Sequence, residues 1–204
     1  MAVPSSPPPE GPGADLTRRL GRFLASRASR VVTEWEAHPA AVLVPLFQDR
    51  GGWNVLYTRR TESVDAHPGQ VSFPGGRVEE GDAGPQQAAL REAEEEIGLR
   101  PSDVHVLGVL DSLLTVTQYL VAPVVATMPW PYAIALNDRE VASVFAVPLR
   151  WLSDPANLEA RPRPPNGPGR HPTLYYFQPY RGEVIWGVTA RITVQLLEAI
   201  RSSG

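Results

Sequence analysis

The stretch that decides the fold runs Gly69-Gln-Val-Ser-Phe73-Pro-Gly75-Gly76-Arg-Val-Glu79-Glu80-Gly-Asp82-Ala-Gly-Pro85-Gln-Gln-Ala-Ala-Leu90-Arg91-Glu92-Ala-Glu94-Glu95-Glu96-Ile97-Gly98-Leu99. Its second half reads as a helix over Pro85–Ile97. Proline suits a first helical position, and Gly98 stands where a left-handed residue closes a helix. Between Glu79 and Glu96 there are seven acidic residues and one basic residue, Arg91, so this segment alone carries −6. Like charges one turn apart destabilise a helix, and its C-terminal half disfavours anions. Such a helix needs solvent or cations to offset the repulsion.

At about 100° per residue, Leu90, Ala93 and Ile97 cluster on one side and Glu92, Glu95 and Glu96 on the opposite arc. Glu94 points elsewhere, nearer the apolar edge. Three carboxylates at i, i+3 and i+4 make a hard-oxygen site suited to Mg²⁺ or Mn²⁺. The plainer reading is a solvated acidic face. The loop upstream tips the balance towards a site, because Gly75-Gly76 lets the backbone approach a ligand or expose a carbonyl.

Outward from this segment, apolar patterning predicts a helix over 14–32, with Leu16, Leu20, Phe23 and Leu24 on one face. It predicts a buried strand over 40–47 and its neighbour over 53–59 across a Gly51-Gly52 turn. Further strands are expected over 104–111, 119–127, 141–147 and 175–178, with 184–186 as an extension, and a closing helix over 189–200. Strands outnumber helices and many look hairpin-linked, so the class is α/β of the α+β type, a mixed sheet with helices packed on it. Ten of the 22 prolines fall in residues 1–13 and 162–172. The first segment reads as a disordered tail, leaving 14–204 as a single domain. The second, centred on 161–170, reads as a loop without ladder capacity.

The 204 residues suffice for one domain with a sizeable core. The absence of Cys removes disulfide frameworks, thiolate metal sites and cysteine nucleophiles. A net charge of −3 argues against a generic nucleic-acid binder. Outside the acidic segment, 18 basic residues face 15 acidic ones. All 19 basic residues are Arg, which reads as coding bias. The N-terminus lacks the basic and apolar regions of a signal peptide. The uncharged stretch 112–137 is interrupted by Pro123, Pro129 and Pro131 and reads as buried strand, not membrane span. A soluble, cytoplasmic protein is expected.

Strand, glycine loop, acidic loop and acidic helix in this order resemble the Nudix hydrolases. Their box is G-x5-E-x7-R-E-U-x-E-E-x-G-U, with U a bulky apolar residue. Arg91-Glu-Ala-Glu-Glu-Glu-Ile-Gly-Leu99 fills its second half, with Ala93 at the first U. One extra loop residue brings the first half into line, with Gly76 as the glycine and Asp82 replacing the Glu. The chain is most similar to the coenzyme A pyrophosphatase branch. That branch carries a Phe-Pro-Gly-Gly loop, here Phe73–Gly76, an Asp six residues later, and Ala-Leu-Arg-Glu at the helix, here Ala89–Glu92. Its upstream element Arg-Ser-x-x-Leu-x-x-His-x-Gly-Gln is matched in register by Arg60, His67, Gly69 and Gln70. Asp65 stands where many members carry Arg. Ile185-Trp-Gly-x-Thr-Ala190 is similar to the C-terminal signature of the branch.

The resemblance implies a mixed sheet sandwiched between helices, and metal-dependent hydrolysis of coenzyme A or its derivatives to 3′,5′-ADP and 4′-phosphopantetheine. Alternatives are the same chemistry on ADP-ribose, NADH or nucleoside triphosphates, and a non-catalytic Nudix-fold ligand sensor. Glu92, Glu95 and Glu96 are the expected metal ligands and catalytic carboxylates, and the resemblance adds the Gly76 carbonyl. It also implies that Arg91 pairs with Asp82 or a neighbour and fixes the loop against the helix. One of the carboxylates, or one from a later loop such as Glu140, acts as general base. Glu140 reads equally as an exposed strand-entry residue. Arg59, Arg60, His67 and Gln70 are candidates for substrate phosphates, with an exposed strand end as the alternative. Trp186 and Tyr180 read as core aromatics, with stacking on adenine as the alternative. His38, His105 and His171 have no companions that suggest chemistry. The partner is a small nucleotide substrate. The helix over 14–32 is a candidate homodimer element, and docking on its own domain fits equally well.

Overall fold

Strand β1 (His38–Asp49) is apolar on both faces and forms the centre of the sheet. Side chains alternate along a strand. Ala41, Leu43 and Phe47 therefore enter one core cluster and Ala40, Val44 and Leu46 the other. The computed structural model describes residues 12–27, 37–62, 69–163 and 173–204.

Helix α1 (Pro12–Ala25) precedes β1, and β2 (Gly52–Arg60), β3 (Val71–Ser72) and β4 (Gly75–Arg77) follow it. Next come helix α2 (Pro85–Ile97) and strands β5 (His105–Val109), β6 (Leu113–Leu114), β7 (Tyr119–Thr127) and β8 (Val141–Pro148). The short helix α3 (Leu149–Leu152), strands β9 (Leu158–Pro162) and β10 (Thr173–Phe177), and helix α4 (Gly187–Ser202) complete the order.

The main sheet runs β3-β2-β1-β7-β5, with β4 on β1, β6 on β7 and β8 on β2. The β1–β7 pair is parallel and the other ladders are antiparallel, so the sheet is mixed. Helix α2 covers one face through Ala88, Ala89, Ala93 and Ile97. Helices α1 and α4 cover the other through Leu20, Leu24, Ile192 and Leu196. The sheet is thus sandwiched between helices. Inside the second layer the Tyr57 hydroxyl, fully buried, meets Thr193 Oγ1 at 3.0 Å. Burial pushes this phenol above its ordinary range.

Several elements differ from the sequence expectations. The helix expected over 14–32 begins at Pro12 and ends at Ala25, where the Ser26 hydroxyl and N–H both turn back onto carbonyls of its last turn. Residues 28–36 lie outside the described residues. Leu16, Leu20 and Leu24 are buried in its own domain. The segment read as a loop without ladder capacity begins inside a ladder, since Arg161 pairs with Leu174 and Pro162 with Thr173. Arg161 is held there over the Tyr176 ring at 4.4 Å, and a proline is tolerated at the end of an edge strand. Residues 164–172, His171 included, lie outside the described residues. The expected 184–186 strand is reduced to one bridge, Tyr176 to Trp186. Among the described residues no helix is long and apolar enough to cross a membrane.

Candidate active site

Helix α2 owes its position to its two ends. Proline opens it, and Gly98 at φ 68° closes it, with the Gly98 and Leu99 N–H groups capping Glu94 and Ala93 carbonyls. Ala88 and Ala89 are small enough to press against the sheet, which widens the inward face beyond Leu90, Ala93 and Ile97. Glu96 is therefore buried, only 3% exposed, and not on an arc opposite the apolar side. Glu92 is half-buried, Glu94 is exposed, and the Glu95 side chain is 56% exposed.

The glycine loop meets this helix directly. Gly76 lies opposite Ala41 in the β1–β4 ladder, and the Glu92 carboxyl atoms fill the space where a Gly76 side chain would start. The Gly75 N–H donates to the Glu96 carboxylate. Burial is the main cause that raises Glu96 to about 8, and the nearby Glu92 and Glu140 charges add to it. Arg60 opposes the rise, with Nη1 3.9 Å from Glu96 Oε1. Glu92 is raised by burial first, against the counter-pull of Arg91, with Glu95 and Glu140 adding to the rise.

Arg91 ties the acidic loop to the helix. Its Nε and Nη2 donate to Asp82 at 3.3 and 3.1 Å, and Nη2 also donates to the Arg77 carbonyl at 3.0 Å. Its Nη1 reaches Glu92 at 3.0 Å and Glu95 at 3.3 Å. The Arg91 hydrogen bond, then the Glu79 N–H, hold the Asp82 carboxyl below the usual carboxylate range.

The three carboxylates are not gathered into a ligand set as they stand. Among the described residues no group of three acidic or imidazole side chains is close enough to hold a metal ion. Glu95 turns outward onto Arg91 and acts on Glu92 alone, whereas the charge of Glu140 acts on both Glu92 and Glu96. Glu140 is half-buried, not an exposed strand-entry residue, and Asn137 Nδ2 holds its Oε1 at 3.2 Å. An all-oxygen donor set with buried, mutually repelling carboxylates suits a hard divalent cation.

The substrate candidates separate. Arg59 and Gln70 line one cavity, together with Glu183 and Trp186. Arg60 instead sits beside Glu96. A register shift between Arg59 and Arg60 in the β2–β8 ladder accompanies this divergence. Arg59 Nη1 donates to both Glu183 carboxyl oxygens, at 3.2 and 3.3 Å. The sequence reading missed Glu183, which lies 124 positions from Arg59 and carries no local signal. His67 lies outside the described residues, as does Asp65. Trp186 is 40% exposed and so is not a core aromatic. Tyr180 does pack inward, edge-on to Trp151 at 4.9 Å. His38 and His105 are exposed and take no part.

A mixed sheet between helices, with an acidic helix under a glycine-rich loop, defines a class of hydrolases acting on nucleoside diphosphate derivatives. The family model for the NUDIX domain matches residues 37–166. A Cronobacter sakazakii protein named "Uncharacterized Nudix hydrolase NudL" is 36% identical over 188 residues, covering 89% of this chain and 92% of the relative. Its Escherichia coli K12 namesake is 38% identical over 157 residues, covering 77% and 80%. In fold, the chain is similar to the crystal structure of DR0079 from Deinococcus radiodurans. The TM-score is 0.50 at 16% identity, over 78% of this chain and 83% of that one. The chain belongs to the Nudix family and is a hydrolase, which sets aside the non-catalytic sensor. Enzymes of this family generally use divalent metals such as Mg²⁺ or Mn²⁺.

Proposed function

We propose that the protein hydrolyses coenzyme A or its derivatives to 3′,5′-ADP and 4′-phosphopantetheine with Mg²⁺ or Mn²⁺, residues 14–204 acting as one domain. The observation that carries this reading is the divergence of two adjacent arginines. Arg60 faces the buried carboxylates, while Arg59 and Gln70 line a neighbouring cavity. Arg60 and Gln70 belong to the upstream element that resembles the coenzyme A branch and Arg59 directly precedes it, so a phosphate-rich substrate has one cationic contact at the carboxylates and another in the cavity.

Glu92 and Glu96 would hold the metal, with Glu95 and the Gly76 carbonyl as further ligands. When bound, the metal supplies charge neutralisation of the diphosphate and a lowered pKa for the attacking water. The water oxygen bonds to one phosphorus, the bond from that phosphorus to the bridging oxygen breaks, and the water proton passes to a carboxylate. Glu140 is the base in this reading, supported by its place beside Glu92 and Glu96. Arg91 and Asp82 orient the helix carboxylates and touch no reacting atom.

The test is a product-mass assay of purified protein with Mg²⁺ or Mn²⁺ on coenzyme A, ADP-ribose, NADH and deoxynucleoside triphosphates. The highest kcat/KM is expected for coenzyme A. A higher value for ADP-ribose overturns the substrate assignment and leaves the hydrolase class intact.

A further inference from the structure

We infer that Trp186 is a stacking platform for the nucleobase of the substrate, and that its cavity is a nucleoside subsite distinct from the α2 carboxylates. This deepens the proposed function and rests on the substrate being a nucleoside diphosphate derivative.

An exposed tryptophan leaves a large apolar face in water, and here the side chain is held that way. The Tyr176 ring backs the indole, almost parallel at 8° with centroids 5.9 Å apart. The Arg161 guanidinium lies 4.4 Å from the Tyr176 centroid, fixed by Glu159 at 2.7 and 2.8 Å. Arg161, Tyr176 and Trp186 thus form a column of three planar groups anchored on the β9–β10 ladder. The indole at its end lines a cavity of about 220 Å³, with the exposed Val184 beside it. A flat, apolar, preorganised surface is what a purine or pyrimidine ring stacks on.

The same cavity is also lined by polar groups. Arg59 is clamped by Glu183 yet its side chain stays 40% exposed, so part of the guanidinium is open to an anion, and Gln70 supplies an amide beside it. An apolar platform and a charged fork in one cavity match a base and the phosphates of one nucleotide. The next residue, Arg60, is already beside Glu96. Adjacent residues of one strand thus border the cavity and the carboxylates of α2, and a nucleoside seated on Trp186 would have its phosphates at that junction.

The experiment compares AMP with ribose 5-phosphate, which differ by the base alone, as ligands of the metal-free full-length protein by calorimetry. Wild type is expected to bind AMP about tenfold or more tightly than ribose 5-phosphate. W186A should bring the two within about twofold, and W186F should keep most of the difference. Melting curves check that each variant folds. Wild-type protein labelled with 5-fluorotryptophan needs no folded variant for its readout. Its Trp186 resonance, assigned by loss in W186F, should shift with AMP and stay with ribose 5-phosphate. An unchanged AMP preference in W186A, or a silent Trp186 resonance, overturns the subsite. If the subsite fails while coenzyme A is hydrolysed, the proposed substrate stands. If Trp186 responds to AMP but coenzyme A is not turned over, the subsite stands and that substrate falls.

Discussion

The Glu92 carboxylate occupies the space in which a side chain at Gly76 would begin. A Cβ on Gly76 would lie 2.4 to 2.7 Å from its three carboxyl atoms. Gly76→Ala must therefore push this carboxylate off its position, and the buried ladder opposite Ala41 leaves the backbone little room to yield. Displacing a catalytic group by about 1 Å costs on the order of 100-fold in rate. We expect G76A to lose about that factor in kcat while its circular dichroism spectrum stays native. Wild-type turnover in a folded G76A would show that Glu92 does not need this contact.

Arg91 is the joint between the acidic loop and the helix, and its geometry is specific to a guanidinium. Two of its nitrogens hold Asp82, one of these also holds the Arg77 carbonyl, and the third reaches Glu92. A lysine cannot reproduce this fork. Arg91→Lys and Asp82→Asn are each expected to lower kcat by roughly 10- to 100-fold, as loss of ligand-supporting contacts does. The double variant should cost little more than either single one, because both break the same joint. Strictly additive losses in steady-state kinetics would mean that the two residues act separately.

The helix at the centre of the site was legible to the residue, because Pro85 and Gly98 mark its ends by backbone chemistry that no tertiary contact overrides. Which side faced inward was not, since Ala88 and Ala89 are weak hydrophobic markers but pack closest to the sheet. That is why the helical wheel places Glu96 opposite the apolar side, whereas it is buried. The long strands β1, β2 and β7 show their apolar runs. Strands β3 and β4 are too short for any periodicity and exist only because the glycine loop lies against β1 and β2. The Arg59–Glu183 pair and the Arg161–Tyr176–Trp186 column depend on long-range pairing, so they carry no local pattern.

Glu96 makes the metal-free protein sensitive to alkali. Its folded pKa is about 8 against an ordinary value of 4.5. Between those values the folded state keeps a proton that the unfolded chain has released, so stability falls as pH rises through this window. Melting temperatures in chelator should decline from pH 5 to pH 8, and E96Q should flatten that slope. Added Mg²⁺ should restore the wild type at pH 8, where the carboxylate is free to bind it, and do little for E96Q. A wild-type slope retained in E96Q would place the titrating group elsewhere.

In the proposed mechanism Glu140 is the base, and Glu92 and Glu96 are ligands. Glu140 sits in the turn just before β8, with its backbone tied to Thr61 and Asn137, and its charge is felt by both Glu92 and Glu96. A base and a metal ligand fail differently. Loss of a ligand weakens metal binding, so excess Mn²⁺ restores part of the rate. Loss of a base removes the proton acceptor, and more metal does not return it. E140Q is expected to lower kcat by roughly 100- to 10,000-fold. Its metal affinity, read by Mn²⁺ electron paramagnetic resonance, should stay close to wild type. The rate of E140Q should also rise with hydroxide concentration across the range where wild type is flat, since bulk base then competes for the proton. E92Q should show the opposite pattern, with weakened Mn²⁺ binding and partial recovery at high Mn²⁺. If E140Q instead loses Mn²⁺ affinity and recovers with excess metal, Glu140 is a ligand, and the proton goes to a carboxylate of α2.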